Sequence, residues 1–204
     1  RWLQILTHIL ALFPLATLAW DFAQGQLGAN PIREIQLRTG KDALTLLVLT
    51  LLCTPASTLP QLKRVLALRR PLGLYAFMYA SLHFLNFIGL DYGFQLDLIR
   101  EDMFEKRYAL VGLGAFLCLI PLAVTSTKGW IRRLGRNWER LHRLAYLSGL
   151  LAVLHFAWQA KANTYQPIFY GVVVVLLLIA RMAPGIRKSI GRLYHQPVAK
   201  NPDP

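Results

Sequence analysis

The chain holds five histidines, and three of them, His83, His142 and His155, fall within or at the edge of long apolar stretches. An ionisable side chain in hydrocarbon is costly and faces a partner or a cavity. Imidazole is the usual axial ligand of haem iron. Two imidazoles from neighbouring helices can clamp a porphyrin between them and leave six-coordinate iron suited to electron transfer. Two other chemistries use the same residues. Membrane histidines hydrogen-bond across helices as packing contacts, and they relay protons in small transporters or channels. Neither of these alternatives carries a visible chromophore.

Spacing favours one pair. His83 lies about 11 residues past the start of its apolar segment and His155 about 14 past its own, roughly 17 and 21 Å along a helix. If both segments run in the same direction, the two imidazoles reach similar depths, as two ligands of one haem must. His83 and His155 are therefore the expected axial ligands. Tyr79, Asn86 and Phe87 share a helical face with His83 and are expected to line the cofactor. A ligating imidazole donates its second N–H to an acceptor, for which the carbonyls one turn earlier, at Tyr79 and Leu151, are the expected partners. His142 stands 13 positions before His155, at the opposite end of the same segment. It could ligate a second haem, line a quinone or flavin site, or sit in the interface beside Arg140 and Arg143. His8 could serve the same inner site, and His195 is expected to face solvent.

These residues require helices in a membrane. Of the 204 residues 55% are hydrophobic and only 16% charged, against about a quarter in a soluble domain. Apolar segments run over 2–20, 43–59, 72–90, 108–124, 141–160 and 167–182. Each approaches the roughly 20 residues that span a bilayer. In lipid every backbone group must be satisfied within the segment, so the expected fold is an all-α bundle of six transmembrane helices. Alternating ten-residue segments, the mark of a membrane β-barrel, are absent from the sequence. Residues 1–20 mimic a signal peptide, but Trp20 reads as an interfacial anchor and no A-x-A site follows, so a retained helix is expected.

The net charge of +13 does not point to nucleic acid, because Lys and Arg sit between the apolar runs. Lys63, Arg64, Arg69 and Arg70 fill the second loop. Lys128, Arg132, Arg133, Arg136, Arg140 and Arg143 fill the fourth, and Arg181, Arg187, Lys188 and Arg192 follow the sixth segment. The third loop is acidic on balance, with Asp91, Asp97, Glu101, Asp102 and Glu105. Positive charge marks cytoplasmic loops, so both termini are expected inside, with a basic cytoplasmic tail over 186–204. Cys53 and Cys118 lie within apolar runs and read as small buried side chains. No glycine-rich phosphate loop of the Rossmann or P-loop kind occurs.

Several stretches together carry a family resemblance. They are Leu27-Gly28-Ala29-Asn30-Pro31 with Thr39-Gly40, Arg69-Arg70-Pro71-Leu72-Gly73-Leu74-Tyr75 leading to His83, and Thr125-Ser126-Thr127-Lys128-Gly129-Trp130. The last is followed by Leu134-Gly135-Arg136-Asn137-Trp138-Glu139-Arg140-Leu141-His142-Arg143-Leu144-Ala145-Tyr146 and, later, His155. Over residues 8–185 or so the chain resembles the ferric-reductase-like transmembrane superfamily. More narrowly, it is similar to the haem-binding membrane subunits of bacterial methionine sulfoxide reductase systems.

The resemblance implies six helices over residues 1–185, b-type haem, an associated flavin (FMN) and residence in the bacterial inner membrane. It implies electrons from the quinone pool or a cytoplasmic flavin reductase, passed to a periplasmic molybdenum-containing subunit that repairs oxidised methionines. His83, His142 and His155 are the haem-associated positions it marks. Arg69, Arg70, Arg140 and Arg143 could then hold haem propionates or a flavin phosphate, besides setting topology. Two-haem members of the superfamily carry histidine pairs 13–14 residues apart on both the third and fifth helices. Here Arg69 stands 14 before His83, so an inner haem would need His8 or another ligand beside His142, or be five-coordinate. The chain has no catalytic constellation for sulfoxide chemistry, which the resemblance assigns to the partner.

Overall fold

The computed structural model describes residues 2–160 and 165–182, and every regular element among them is helical. The expectations for His195 and for the basic tail lie outside the described residues.

Helix α1 (Trp2–Ala23) is apolar all round, and Trp2, Ile9, Phe13 and Trp20 on it are largely exposed. Pro14 interrupts its backbone ladder, since proline has no N–H to give. One residue further along that ladder, the hydroxyl of Tyr79 enters from a neighbouring helix. It donates to the Ala11 carbonyl at 2.8 Å and accepts from the Leu15 N–H at 3.0 Å.

Helix α2 (Pro31–Ala56) starts well before the second apolar segment. Asn30 caps it by accepting from the Arg33 N–H at 3.0 Å, and Pro31 takes the first turn, where its missing N–H costs nothing. Arg38 links this N-terminal extension to α1 through Asp21 at 2.5 Å and bonds Glu34 at 2.8 Å. After a 3₁₀ segment (Pro60–Leu68), α3 (Arg69–Leu85), which carries His83 near its end, runs into a π-helical turn, Asn86–Asp91. Helix α4 (Leu96–Glu105) follows as a short amphipathic element, and α5 (Arg107–Val124) is the next long apolar helix. Two short helices, α6 (Lys128–Leu134) and α7 (Arg136–Leu141), carry the arginine-rich loop. Helices α8 (Leu144–Gln159) and α9 (Tyr165–Met182) complete the described chain.

Helix α2 packs most extensively on α3, and α5 on α8. Leu46, Leu47, Leu51 and Cys53 of α2 meet Leu72, Ala76 and Tyr79 of α3 and Leu119 and Leu122 of α5 in the main core. Leu44 and Val48 pack against Val174 of α9 in a second cluster. Both cysteines are free, as their apolar settings suggest.

Three stretches are long and apolar enough to cross a membrane by themselves: Trp2–Ala23, Pro60–Asp91 and Arg107–Val124. Tyr165–Arg181 is apolar but shorter. Large aliphatic and aromatic side chains stand exposed on α1, α5, α8 and α9, far more than a soluble monomer leaves in contact with water. A lipid environment accounts for them.

Candidate functional site

The structure brings His83 of α3 and His155 of α8 together in the wall of one cavity of about 400 Å³. Their ring centroids are 6.1 Å apart and their planes lie at 87°. Two imidazole nitrogens each about 2 Å from a shared iron, with ring centres roughly 1 Å behind them, give a centroid separation of roughly 6 Å. The observed separation fits that requirement. Among the described residues no three His, Cys, Asp or Glu gather as a non-haem metal would need.

Backbone carbonyls fix which nitrogen each ring offers. His83 Nδ1 lies 2.9 Å from the Gln36 carbonyl, and His155 Nδ1 lies 2.8 Å from the Tyr108 carbonyl. A carbonyl only accepts, so both Nδ1 atoms carry the proton and both Nε2 atoms offer lone pairs. His83 Nε2 also accepts a long contact, 3.3 Å, from the Gln36 side-chain amide. The acceptors expected one turn earlier, Tyr79 and Leu151, are corrected here. Both rings turn away from their own helices, and the carbonyls of Gln36 in α2 and Tyr108 in α5, each with a second lone pair beyond the helical bond, take the Nδ1 protons.

Each ring also rests on a glycine. A β-carbon added at Gly40 would lie 2.8 Å from His83 Cε1, and one at Gly112 would lie 2.7 Å from His155 Nδ1. Carbonyl, glycine and histidine therefore recur as two matching sets, Gln36–Gly40–His83 and Tyr108–Gly112–His155. Each member of the second set lies 72 positions beyond its counterpart (36 to 108, 40 to 112, 83 to 155), and in both the histidine follows its acceptor by 47. The α2/α3 and α5/α8 pairs thus build equivalent halves of one cradle. Gln36, Gly40 and Tyr108 escaped the sequence reading of the site, although the Asn30-Pro31 cap signals a helix that begins early enough to include the first two.

The cavity walls are mostly apolar. Leu44 and Leu47 of α2, Phe84 of α3, Phe116 and Leu119 of α5, and Ala152 and Phe156 of α8 contribute. Arg33, Lys41 and Lys106 supply cationic groups at its edge. Of these, Lys106 reaches Asp102 at 2.5 Å, whereas Arg33 and Lys41 take part in none of the described salt bridges.

The expected lining residues divide. Phe87 lines the cavity. Tyr79 does not: it is fully buried and its hydroxyl is occupied by α1. Asn86 also lies off the cavity wall, donating its amide to Gln36 Oε1 at 2.5 Å and to the Ile32 carbonyl at 3.2 Å. Arg69, Arg70, Arg140 and Arg143 are absent from the walls as well, because they belong to the other end of the helices.

His142 and His8 have separate surroundings. His142 is the residue after α7, in the turn before α8 rather than inside the long helix expected from the sequence. It stacks on Trp138, 3.9 Å between centroids at 27°. Its Nε2 lies 3.1 Å from the Thr125 hydroxyl, which itself donates to the Pro121 carbonyl at 2.6 Å. That hydroxyl can only accept from His142, so Nε2 carries the proton here, the reverse of His83 and His155. His8 is exposed, with Nδ1 2.9 Å from the Tyr75 hydroxyl.

A half-buried pair of imidazoles sharing one cavity between hydrophobic helices is the architecture of a multi-pass membrane redox protein. The family model for the ferric reductase like transmembrane component matches residues 39–153, and the chain belongs to that family. It is also similar to proteins named protein-methionine-sulfoxide reductase heme-binding subunit MsrQ. That of Xanthomonas axonopodis pv. citri (strain 306) is 46% identical over 181 residues, covering 86% of this chain and 83% of its own. That of Xanthomonas campestris pv. campestris (strain 8004) is 47% identical over 177 residues, with 84% and 81% covered. The relative from Caulobacter vibrioides (strain ATCC 19089 / CIP 103742 / CB 15) is 43% identical over 177 residues, with 86% and 84% covered.

Proposed function

We propose that this chain is a transmembrane electron carrier that holds a b-type haem between His83 and His155 and serves a methionine sulfoxide reductase. The single observation that carries the reading is the ring pair, 6.1 Å apart, with both Nδ1 atoms tied to carbonyls. The names of the relatives supply the haem and the reductase system.

When bound, the haem supplies one-electron chemistry. The chain's own residues do the rest. The Gln36 and Tyr108 carbonyls hold each imidazole in the tautomer that presents Nε2 and raise its basicity. Apolar walls from Leu44, Phe84, Phe116 and Phe156 exclude water and lower the local dielectric, one of the levers on redox potential. Arg33 and Lys41 would hold the haem propionates, since cationic side chains at a cavity edge pair with carboxylates.

The topology that fits this role has six spans, with both termini in the cytoplasm of a bacterial inner membrane, and is supported by the alternation of basic and acidic loops. Under it the haem pair lies in the outer half of the bilayer, and the cationic α6–α7 segment faces the cytoplasm. Electrons would enter there from the quinone pool or a cytoplasmic flavin reductase, with FMN as an intermediary held by that basic segment. They would leave to a periplasmic molybdenum-containing catalytic subunit, which performs the sulfoxide chemistry.

The absorption spectrum of the purified, haem-supplied protein tests the central claim. A Soret band with low-spin visible bands is expected, and His83→Ala and His155→Ala should each abolish the low-spin signal. A colourless wild-type protein, which a transporter or channel would give, or an unaltered spectrum in either variant, ends this reading.

A further inference from the structure

We propose that the protein holds its two axial imidazoles in perpendicular planes, through the Gln36/Gly40 and Tyr108/Gly112 half-cradles, and so sets the electronic state of the iron. The inference rests on the reading of His83 and His155 as a haem pair and goes beyond it.

The geometry has two restraints per ring. A hydrogen bond from Nδ1 to a carbonyl fixes one point of the imidazole, but by itself lets the ring rock. The neighbouring glycine removes that freedom. Gly40 leaves room for the edge of His83, with a virtual β-carbon 2.8 Å from Cε1 and 2.9 Å from Nδ1. Gly112 does the same for His155, at 2.8 Å from Cε1 and 2.7 Å from Nδ1. Each histidine and its restraints sit on different helices, α3 against α2 and α8 against α5. The angle between the rings is therefore set by helix packing rather than by side-chain rotation. The result is 87°.

That angle has an electronic consequence. Each axial imidazole donates π density into the iron d orbital that lies perpendicular to its plane. Parallel rings raise one orbital of the dxz/dyz pair and split the two. Perpendicular rings raise both alike and leave them nearly degenerate. Low-spin ferric iron then keeps much of its orbital angular momentum, and its g tensor becomes highly anisotropic. Near-degeneracy also withholds the stabilisation that parallel rings give the ferric form, so the midpoint potential rises.

Electron paramagnetic resonance of the ferric, haem-loaded protein at liquid-helium temperature reads this directly. The expected wild-type spectrum is a single sharp low-field low-spin feature rather than three rhombic lines. Gly40→Ala and Gly112→Ala should each move the spectrum toward the rhombic form, or lose the low-spin signal as the displaced ring leaves the iron. Variants that keep haem should also show a lower midpoint potential. Gly114→Ala is the control: it lies on the same helix as Gly112, and its added carbon would meet Leu151 Cδ1 at an ordinary 3.6 Å, so the wild-type spectrum should persist. A rhombic three-line spectrum in the wild type overturns the proposal while leaving the haem pair intact. Retention of the wild-type signal in both Gly40→Ala and Gly112→Ala overturns it too. Bound haem that is wholly high-spin in the wild type overturns the His83/His155 reading itself.

Discussion

Gly112 of α5 and His155 of α8 approach so closely that no side chain fits between them, a β-carbon at 112 falling 2.7 Å from the imidazole Nδ1. Replacing a helical glycine by alanine ordinarily gains about 1 kcal/mol in propensity. Here the clash falls on a ring already held by the Tyr108 carbonyl, and overpacking of this kind costs roughly 1–3 kcal/mol. Gly112→Ala is therefore expected to destabilise the protein, whereas Gly114→Ala, two residues away, should be neutral or stabilising. Denaturation midpoints of the two variants in one detergent check the contrast; equal shifts in the same direction would contradict it.

Tyr79 hydrogen-bonds the α1 backbone beside Pro14, bridging the Leu15 N–H and the Ala11 carbonyl. Tyr79→Phe keeps the packing but removes both hydrogen bonds to α1, leaving Ala11 and Leu15 only each other as helical partners. Each such bond is worth about 0.5–1.5 kcal/mol net. The expected outcome is a lower unfolding midpoint with the visible spectrum unchanged, since the hydroxyl does not reach the cavity. A spectral change would mean that Tyr79 communicates with the histidine pair.

His142 spends its Nε2–H on Thr125 and its ring face on Trp138. A phenyl ring can reproduce the stack though not the hydrogen bond. His142→Phe is accordingly expected to leave the haem-to-protein ratio unaltered, measured by the pyridine haemochromogen assay. A fall in that ratio would assign His142 to a second haem.

Asp102 of α4 accepts from the Tyr92 hydroxyl and pairs with Lys106 at 2.5 Å, tying α4 to the end of the π-helical turn beside the cavity mouth. Burial pushes its carboxyl up, but the bonds from Lys106 and Tyr92 outweigh that and hold it below the usual carboxylate value. A depressed value in the folded protein stabilises above the ordinary pKa of about 3.9 and is lost as pH falls through the depressed value. Docking of α4 should hence be constant near neutrality and loosen only below about pH 4. Asp102→Asn should loosen it at neutral pH by roughly 0.3–1 kcal/mol, the scale of a partly exposed pair. Hydrogen exchange of the α4 amides reports both effects, and equal protection in Asp102→Asn and wild type would refute the tether.

The histidine pair was legible in the sequence because its signal is one-dimensional. An ionisable residue within an apolar run is conspicuous, and helical rise converts distance from the segment start into depth. That arithmetic set His83 and His155 near one level, and their rings do meet. The family was legible for a related reason, since the motifs around His83, His142 and His155 are contiguous in the chain.

Facing, and not depth, is what the sequence left open. Tyr79 and Asn86 share a helical face with His83, yet Tyr79 turns to α1 and Asn86 to α2, where the Leu15 N–H and the Ile32 carbonyl meet them. Likewise the 72-position correspondence pairs Gly40 with Gly112 and His83 with His155 but Gln36 with Tyr108, and contacts across helices are what mark these residues as the holders of each ring. Composition and hydropathy dictated apolar helices carrying imidazoles, since a polar ring within an apolar run needs a partner whatever the fold. Which carbonyl accepts from each ring, which glycine makes room for it, and the 87° between the two planes were decided by tertiary packing, because each depends on how one helix lies against another.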